Sequence, residues 1–206
     1  MNSHSFVGRH MPESKDTKAK IRRAAIRLFA ARGYNAVSMR DLAEAVGMRQ
    51  GGLYNHFEGK QALLSDLMET HMVGLLEALD TAMADINGTR ARLEAFVRHH
   101  VAHHLNYPDD VFLAYMDICS LDSGSRAGVV ALRNRYEHML RKILEDGCTE
   151  GLFRIGDAAV HARLLLAMMT GVTVWYRDNG RLTRAEVVEL YLGAALQSVG
   201  LVAETP

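Results

Sequence analysis

From residue 17 onward apolar residues recur with a period near 3.6, alternating β-branched runs are scarce, and prolines occur only at Pro12, Pro108 and Pro206. A proline inside a helix removes a backbone donor and clashes with the preceding turn, so a chain this poor in proline can stay helical almost throughout. The pattern restricts the fold to the all-α class, with about nine helices. No repeat of fixed period accompanies it, which disfavours a solenoid.

Stops and starts divide the pattern. Ile21, Ala25, Leu28 and Phe29 share one face across residues 17–32, and Gly33 supplies a left-handed stop. Ser38 and Asp41 have capping-box spacing, in which a hydroxyl and a carboxylate satisfy free amides at a helix start. A short second helix should open there, bury Leu42, Ala43 and Val46, and end at Gly47. A third helical turn carrying Leu53, Tyr54 and Phe57 follows within a few residues. A long helix is expected from Lys60 to about Ile86, its apolar stripe formed by Leu63, Leu64, Leu67, Met68, Leu75 and Leu79, until Asn87-Gly88 breaks it. Further helices are expected at about 89–106, 109–121, 126–150, 157–178 and 184–200, the last opened by a second capping box at Thr183 and Glu186.

The formal net charge is zero, but its distribution is lopsided. Residues 1–60 hold 11 Lys/Arg against 5 Asp/Glu, and residues 61–206 hold 13 against 19, so the two halves suit different partners. No run of 18 or more apolar residues occurs and the first residues lack the apolar core of a signal peptide, so a cytoplasmic protein with no membrane partner is expected. Cys119 and Cys148 lack Cys-x-x-Cys spacing, which disfavours a disulfide framework or a thiolate metal site and leaves buried reduced thiols as the expectation.

Two short helices separated by a tight glycine turn are the sequence picture of a helix-turn-helix. Gly51 and Gly52 each cost about 0.5–1 kcal/mol of helix stability relative to alanine. In a helix-turn-helix the second helix enters the DNA major groove by its N-terminal end, where close backbone approach to phosphates and base edges offsets that cost.

The surrounding residues carry a stronger signal. Ile26-x-Leu28-Phe29-x-x-x-Gly33-Tyr34, Ser38-Met39-Arg40-Asp41, Leu42-Ala43-Glu44-Ala45-Val46-Gly47-Met48 and Gly51-x-Leu53-Tyr54-x-His56-Phe57-x-x-Lys60 resemble, over about residues 17–65, the N-terminal region of TetR-family transcriptional regulators. Two positions depart from the family's habit, which often has Ser or Thr where Arg49 stands and Ser or Asn where Gly59 stands. The resemblance implies a homodimer that binds double-stranded DNA at a palindromic operator, probed by a helix-turn-helix domain at residues 16–60 behind a disordered arm at 1–15. It also implies that residues 61–206 form a domain for dimerisation and for a small-molecule effector that releases a repressor from its operator. Under it, Tyr54 and His56 hold phosphates and Lys60 meets another, in keeping with two short-reach donors and a cation beside a helix N-terminus. Arg40 is a further phosphate candidate. Base reading falls to Arg49, Gln50 and Asn55, because Arg suits guanine and Gln or Asn suits adenine in bidentate geometry.

By the same resemblance the last two helices pair two copies, through Leu164, Met168, Gly171, Val172, Val187, Leu190, Tyr191, Ala194 and Ala195; both helices are apolar beyond what one stripe requires. The candidate effector lining is Met68, Met72, Phe96, His100, Tyr115, Met116, Tyr136, Met168 and Trp175, a methionine-rich set suited to an adaptable cavity. Glu150-Gly151-Leu152-Phe153-Arg154 and Trp175-Tyr176-Arg177-x-x-Gly180-Arg181-Leu182 are similar to regulators of acyl-CoA or steroid breakdown, which implies an acyl-CoA or similarly large apolar effector. The alternatives use histidine. His99-His100-x-x-His103-His104 offers two i, i+4 pairs able to chelate a metal, with His71 able to join, which would suit a metal-responsive regulator or a metal-dependent hydrolase. The chain carries no Gly-x-Ser-x-Gly elbow, phosphate loop or nucleophile with a base, so no enzyme, no cofactor and no resident metal are expected.

Overall fold

The computed structural model describes residues 13–116 and 118–201, excluding the side chains of residues 13–15 and 116. The chain divides into two units between Leu67 and Met68.

The first unit holds α1 (Glu13–Arg32), α2 (Met39–Ala45), α3 (Gln50–Tyr54) and residues 60–67 of α4 (Lys60–Met83). Helix α1 begins earlier than its apolar pattern suggests, helped by an Asp16–Lys20 ion pair one turn apart (2.9 Å). Residues 13–15 of the expected arm are therefore helical, and the rest of that arm lies outside the described residues. Gly33 (φ 79°) ends α1, its amide bonded to the Phe29 carbonyl at 2.8 Å. The Ser38 hydroxyl accepts from the Asp41 amide (3.2 Å) while the Asp41 carboxylate accepts from the Ser38 amide (2.7 Å), which completes the capping box and fixes the start of α2. The core is Ile21, Ala25, Phe29, Val37, Leu42, Leu53, Phe57, Leu63 and Leu64, with Tyr34 edge-on to Phe29 at 5.2 Å. Because Leu63, Leu64 and Leu67 close this core, the boundary falls at 67/68, not at 60/61 as read from the sequence.

Asp66 ties α4 to α1. It takes a two-pronged contact from Arg22 (2.6 and 2.8 Å) and an ion pair from Lys18 (3.2 Å). Burial pushes its carboxyl up, but the Arg22 hydrogen bonds and charge, with Lys18, outweigh that and hold it below the usual carboxylate range.

The second unit holds residues 68–83 of α4, then α5 (Thr89–Asn106), α6 (Pro108–Met116), a 3-10 turn (Ile118–Ser120), α7 (Ser123–Thr149), α8 (Ala158–Thr170), α9 (Val172–Trp175) and α10 (Arg184–Ser198). Helix α5 runs through the middle and packs against α6, α7, α8, α9 and α10. It buries Leu93, Phe96, Val97, His100, Val101, His104 and Leu105. At the end of α7 the Phe153 ring lies against the helix backbone at Gly147, where a Cβ would come within 2.0 Å of it.

Three boundaries differ from the sequence reading. Asp122 accepts from the Ser125 amide (2.8 Å), so α7 opens at Ser123 and not at 126, and the segment expected to continue to 121 ends as the 3-10 turn. The helix expected over 157–178 breaks at Gly171 into α8 and α9, giving ten α-helices among the described residues. It stops at Trp175 because the Arg177 guanidinium takes the carbonyls of Val174 (3.1 Å) and Tyr176 (2.7 Å). The second capping box is present as expected, with the Thr183 amide on the Glu186 carboxylate at 2.7 Å.

Candidate nucleic-acid interface, ligand cavity and dimer face

In the first unit, burial of Leu42, Ala43, Leu53 and Phe57 turns the opposite face of α2 and α3 outward. Arg40, Arg49, Gln50, Gly51, Tyr54 and Asn55 are exposed, and Gly52, His56 and Lys60 are half-buried. The turn joining the helices is set by Gly47 (φ 71°) and by the Met48 amide on the Ala43 carbonyl (2.8 Å). Arg49 occupies the N-cap position of α3 in an extended conformation and its side chain makes no cap bond. A Cβ added at Gly51 would meet nothing within 4 Å, and one at Gly52 would meet only the Met48 methyl at 3.2 Å. Nothing in the protein itself calls for a glycine at 51.

Lys60 does more than the sequence reading gave it. Its ammonium donates to the Tyr34 carbonyl (3.0 Å) and the Val37 carbonyl (2.9 Å) and sits 4.2 Å from the Tyr34 ring centroid, so it locks the connection between α1 and α2 with one N–H left over. Replacing Lys60 by Met should lower the thermal stability of the DNA-free protein by about 1–2 kcal/mol, since two charge-assisted bonds are lost. Unfolding followed by circular dichroism without DNA checks this, and an unchanged midpoint would assign Lys60 to the partner alone.

The second unit contains a cavity of about 370 Å³. Its apolar side is Met72, Val130, Leu166 and Ala167; its polar side is Tyr115, Arg133, Asn134, Tyr136, Glu137 and Arg163. Of the residues expected to line it, Met72, Tyr115 and Tyr136 do so. Met68, Phe96 and His100 are buried behind or away from the cavity, Met168 packs half-buried against the core, and the Met116 side chain lies outside the described ones. Trp175 is a correction. It is 49% exposed, stacks on Tyr191 at 6.4 Å and donates its indole N–H to the Tyr191 hydroxyl (3.0 Å). The lining that the sequence did not reveal comes from one face of α7 (Val130, Arg133, Asn134 and Glu137, at helical spacing) and from α8 (Arg163, Leu166 and Ala167).

A chain of hydrogen bonds, buried at its His100–Tyr136 end, connects the two tyrosines. Thr170 Oγ1 donates to the Tyr115 hydroxyl (3.4 Å), His100 Nε2 meets Thr170 Oγ1 (3.3 Å), and His100 Nδ1 meets the Tyr136 hydroxyl (3.1 Å). Thr170 has a single proton and gives it to Tyr115, so His100 must donate through Nε2 and accept the Tyr136 proton at Nδ1. Burial drives His100 well below the ordinary histidine range, with His104, His99, His103 and His71 adding repulsion, and burial raises Tyr136. Both groups are held neutral.

The remaining histidines do not converge on a metal. His99 Nε2 donates to the Leu75 carbonyl (3.2 Å), His104 Nδ1 donates to the His100 carbonyl (2.8 Å) and its ring stacks on His100 at 3.8 Å. Among the described residues no group of three His, Cys, Asp or Glu side chains could hold a metal ion, so the metal-responsive and hydrolase readings lose their ligand set. The i, i+4 spacing that suggested chelation stacks the rings instead.

The last helices are apolar on two sides. The stretch Ala158–Trp175 is long and apolar enough by composition to cross a membrane, a property the sequence reading had not found, yet only 22% of it is buried. One side packs on α5 and α7. The other leaves Val160, Leu164, Val174 and Trp175 exposed, with Leu190 and Ala194 exposed on α10. Three residues expected at the dimer face, Val172, Val187 and Ala195, are instead fully buried in the chain's own core, because helices apolar all round do not reveal which apolar side faces home. Leu164, Met168, Gly171, Leu190, Tyr191 and Ala194 retain exposed or half-exposed positions.

A helix-turn-helix unit joined to a larger all-helical unit with its own cavity defines a two-part regulator. Residues 21–67 match the family model for bacterial regulatory proteins of the tetR family, and residues 87–199 match the tetracyclin repressor-like C-terminal domain, so the chain belongs to the TetR family. It is 27% identical to the HTH-type transcriptional repressor KstR2 of Rhodococcus jostii, over 91% of this chain and 96% of that protein. Among solved structures it is similar to the TetR-family regulator PfmR of Thermus thermophilus (TM-score 0.78, 31% identity, 86% of this chain and 97% of that one). It is also similar to AibR in complex with isovaleryl coenzyme A and operator DNA (TM-score 0.81, 28% identity, 86% and 97%).

Proposed function

We propose that the protein is a ligand-responsive transcriptional repressor that binds a palindromic operator as a homodimer and leaves it when a small molecule occupies the second unit. No catalytic activity is assigned to it, and a protein acting on chromosomal DNA works in the cytoplasm. The observation that carries the reading is the outward face of α2 and α3, where donors suited to phosphates and bases surround a glycine that the protein's own packing does not require. In this reading Arg40, Tyr54, His56 and the spare N–H of Lys60 hold phosphates, Arg49, Gln50 and Asn55 read bases, and Gly51 and Gly52 let the backbone close on the duplex. The family and the operator-bound AibR relative support it. For release, the ligand must favour the DNA-incompetent state by about 1–3 kcal/mol. That AibR was solved with an acyl-coenzyme A supports an acyl compound as effector.

Titration of labelled genomic fragments at several salt concentrations tests the reading, since each neutralised phosphate contributes a log–log slope of about −0.9. No binding at low ionic strength would overturn it. Gly51→Ala separates fold from function most cleanly. The open space around position 51 predicts a gain of about 0.5–1 kcal/mol in stability. The same methyl should cost at least tenfold in DNA affinity, about 1.4 kcal/mol, by holding the backbone off the duplex. An alanine variant that bound DNA normally would remove the glycine from the interface.

A further inference from the structure

The 370 Å³ cavity is at the small end of the range for ligand sites, roughly 300–1,000 Å³, and more than half of its lining residues are polar or charged. It holds two guanidinium groups and one carboxylate. Arg163 and Glu137 neutralise each other at 3.0 Å. Arg133 has no acidic partner among the described residues; its guanidinium lies 4.7 Å from the centroid of the Tyr115 ring, half-buried in the cavity wall. Tyr115 already accepts from Thr170, so its own hydroxyl proton is free to point elsewhere. Two neighbouring donors, one of them cationic, thus face the cavity with no hydrogen bond to an acceptor in its lining among the described residues. On the far side Tyr136 gives its proton to His100 and presents only oxygen lone pairs.

We propose that Arg133 and Tyr115 form an anion subsite and that Tyr136 is a separate acceptor, so that the ligand of this cavity is a compact amphipathic anion, not a neutral hydrocarbon-like compound. The assignment rests on the reading of the second unit as the effector domain. The anionic group is either the carboxylate of a free acid held inside the cavity or a phosphate of a coenzyme A thioester whose acyl chain alone enters, because 370 Å³ does not hold a whole thioester of that size. A hydroxyl or N–H on the ligand body is matched to Tyr136. The one carboxylate in the cavity lining, Glu137, is paired with Arg163, so among the described residues no carboxylate neutralises Arg133.

The test is calorimetric titration of the full-length protein with octanoate, octanamide, octanoyl-coenzyme A and coenzyme A, repeated with R133Q, R133K and Y115F. Octanoate binding at least tenfold tighter than octanamide, lost about ten- to hundredfold in R133Q and partly restored in R133K, supports the subsite and identifies a free acid. Binding of the thioester alone, weakened to the same degree in R133Q, supports it and identifies the phosphate. Equal binding of acid and amide, unaltered affinity in R133Q, or no binding by either anionic probe overturns it. Y115F should lose a smaller factor than R133Q. Because Arg133 makes no ion pair among the described residues, R133Q should unfold near the wild-type temperature. Genomic-fragment binding by the same preparations separates the two claims: intact DNA binding with no anion preference sinks the subsite alone, and absent DNA binding sinks the regulator reading alone.

Discussion

Lowering the pH from 7 to 5.5 is expected to remove roughly 3–4 kcal/mol of folding stability, because three deeply buried histidines take up protons only in the unfolded chain. Burial holds His71 at about 4 and His104 at about 3, and drives His100 far down as well. The folded-state values lie below the unfolded value of about 6.5, so the unfolded chain binds more protons throughout the window between them. Stability from these groups is fully present above pH 6.5 and falls as the pH drops toward 4. Each such histidine contributes about 1.4 kcal/mol per pH unit once well below 6.5, and a total stability of about 5–15 kcal/mol leaves little room for three. His99 and His103 are less buried and shift in the same direction, which steepens the curve. Urea unfolding at a series of pH values, followed by circular dichroism, should show the midpoint falling on acidification, and His71→Met should flatten the slope by about a fifth to a quarter. A midpoint independent of pH between 5.5 and 7 would mean that these rings are hydrated in the folded state.

A double substitution, Leu164→Glu with Leu190→Glu, is expected to convert a dimer into a monomer while leaving the chain folded. Both side chains are well exposed in the single chain, at 60% and 59%, so neither contributes much to its core. In a paired face they would be buried, and two unpaired carboxylates there should weaken association by about a thousandfold or more. Operator affinity should fall by about 10²–10⁴, the advantage lost when two half-sites are no longer engaged by one particle. Sedimentation and fragment titration on the same sample check both. An intact dimer, or a monomer with undiminished affinity, would contradict the pairing proposed for α8 and α10.

How far the sequence could be read differs between the two units, for physical reasons. In the first, the end of α1 and both ends of α2 are marked by residues whose role is local. Gly33 and Gly47 adopt positive φ, and the Ser38–Asp41 box closes within four residues, so spacing alone reveals them. In the second, the cavity was read as methionine-rich because Met is apolar and adaptable, whereas its wall is largely Arg133, Asn134, Glu137 and Arg163, residues that on a helix read as solvent-facing. The end of the helix at Trp175 was hidden because it depends on Arg177 folding back onto two carbonyls, which leaves no periodic trace. Val172, Val187 and Ala195 were misplaced for a related reason: periodicity identifies an apolar side but not whether it meets the chain's own core or a second copy. Lys60 was read only as a phosphate contact, and its grip on Tyr34 and Val37 arises from tertiary folding that spacing cannot show.

The empty surroundings of Gly51 have a genetic corollary. An alanine allele would accumulate to normal levels and pair with wild-type copies, so a cell carrying both would hold many mixed pairs with one sighted and one blind half. Such an allele would behave as dominant, poisoning control in proportion to its dose, whereas an allele that unfolds the chain would be recessive because its product never finds a mate.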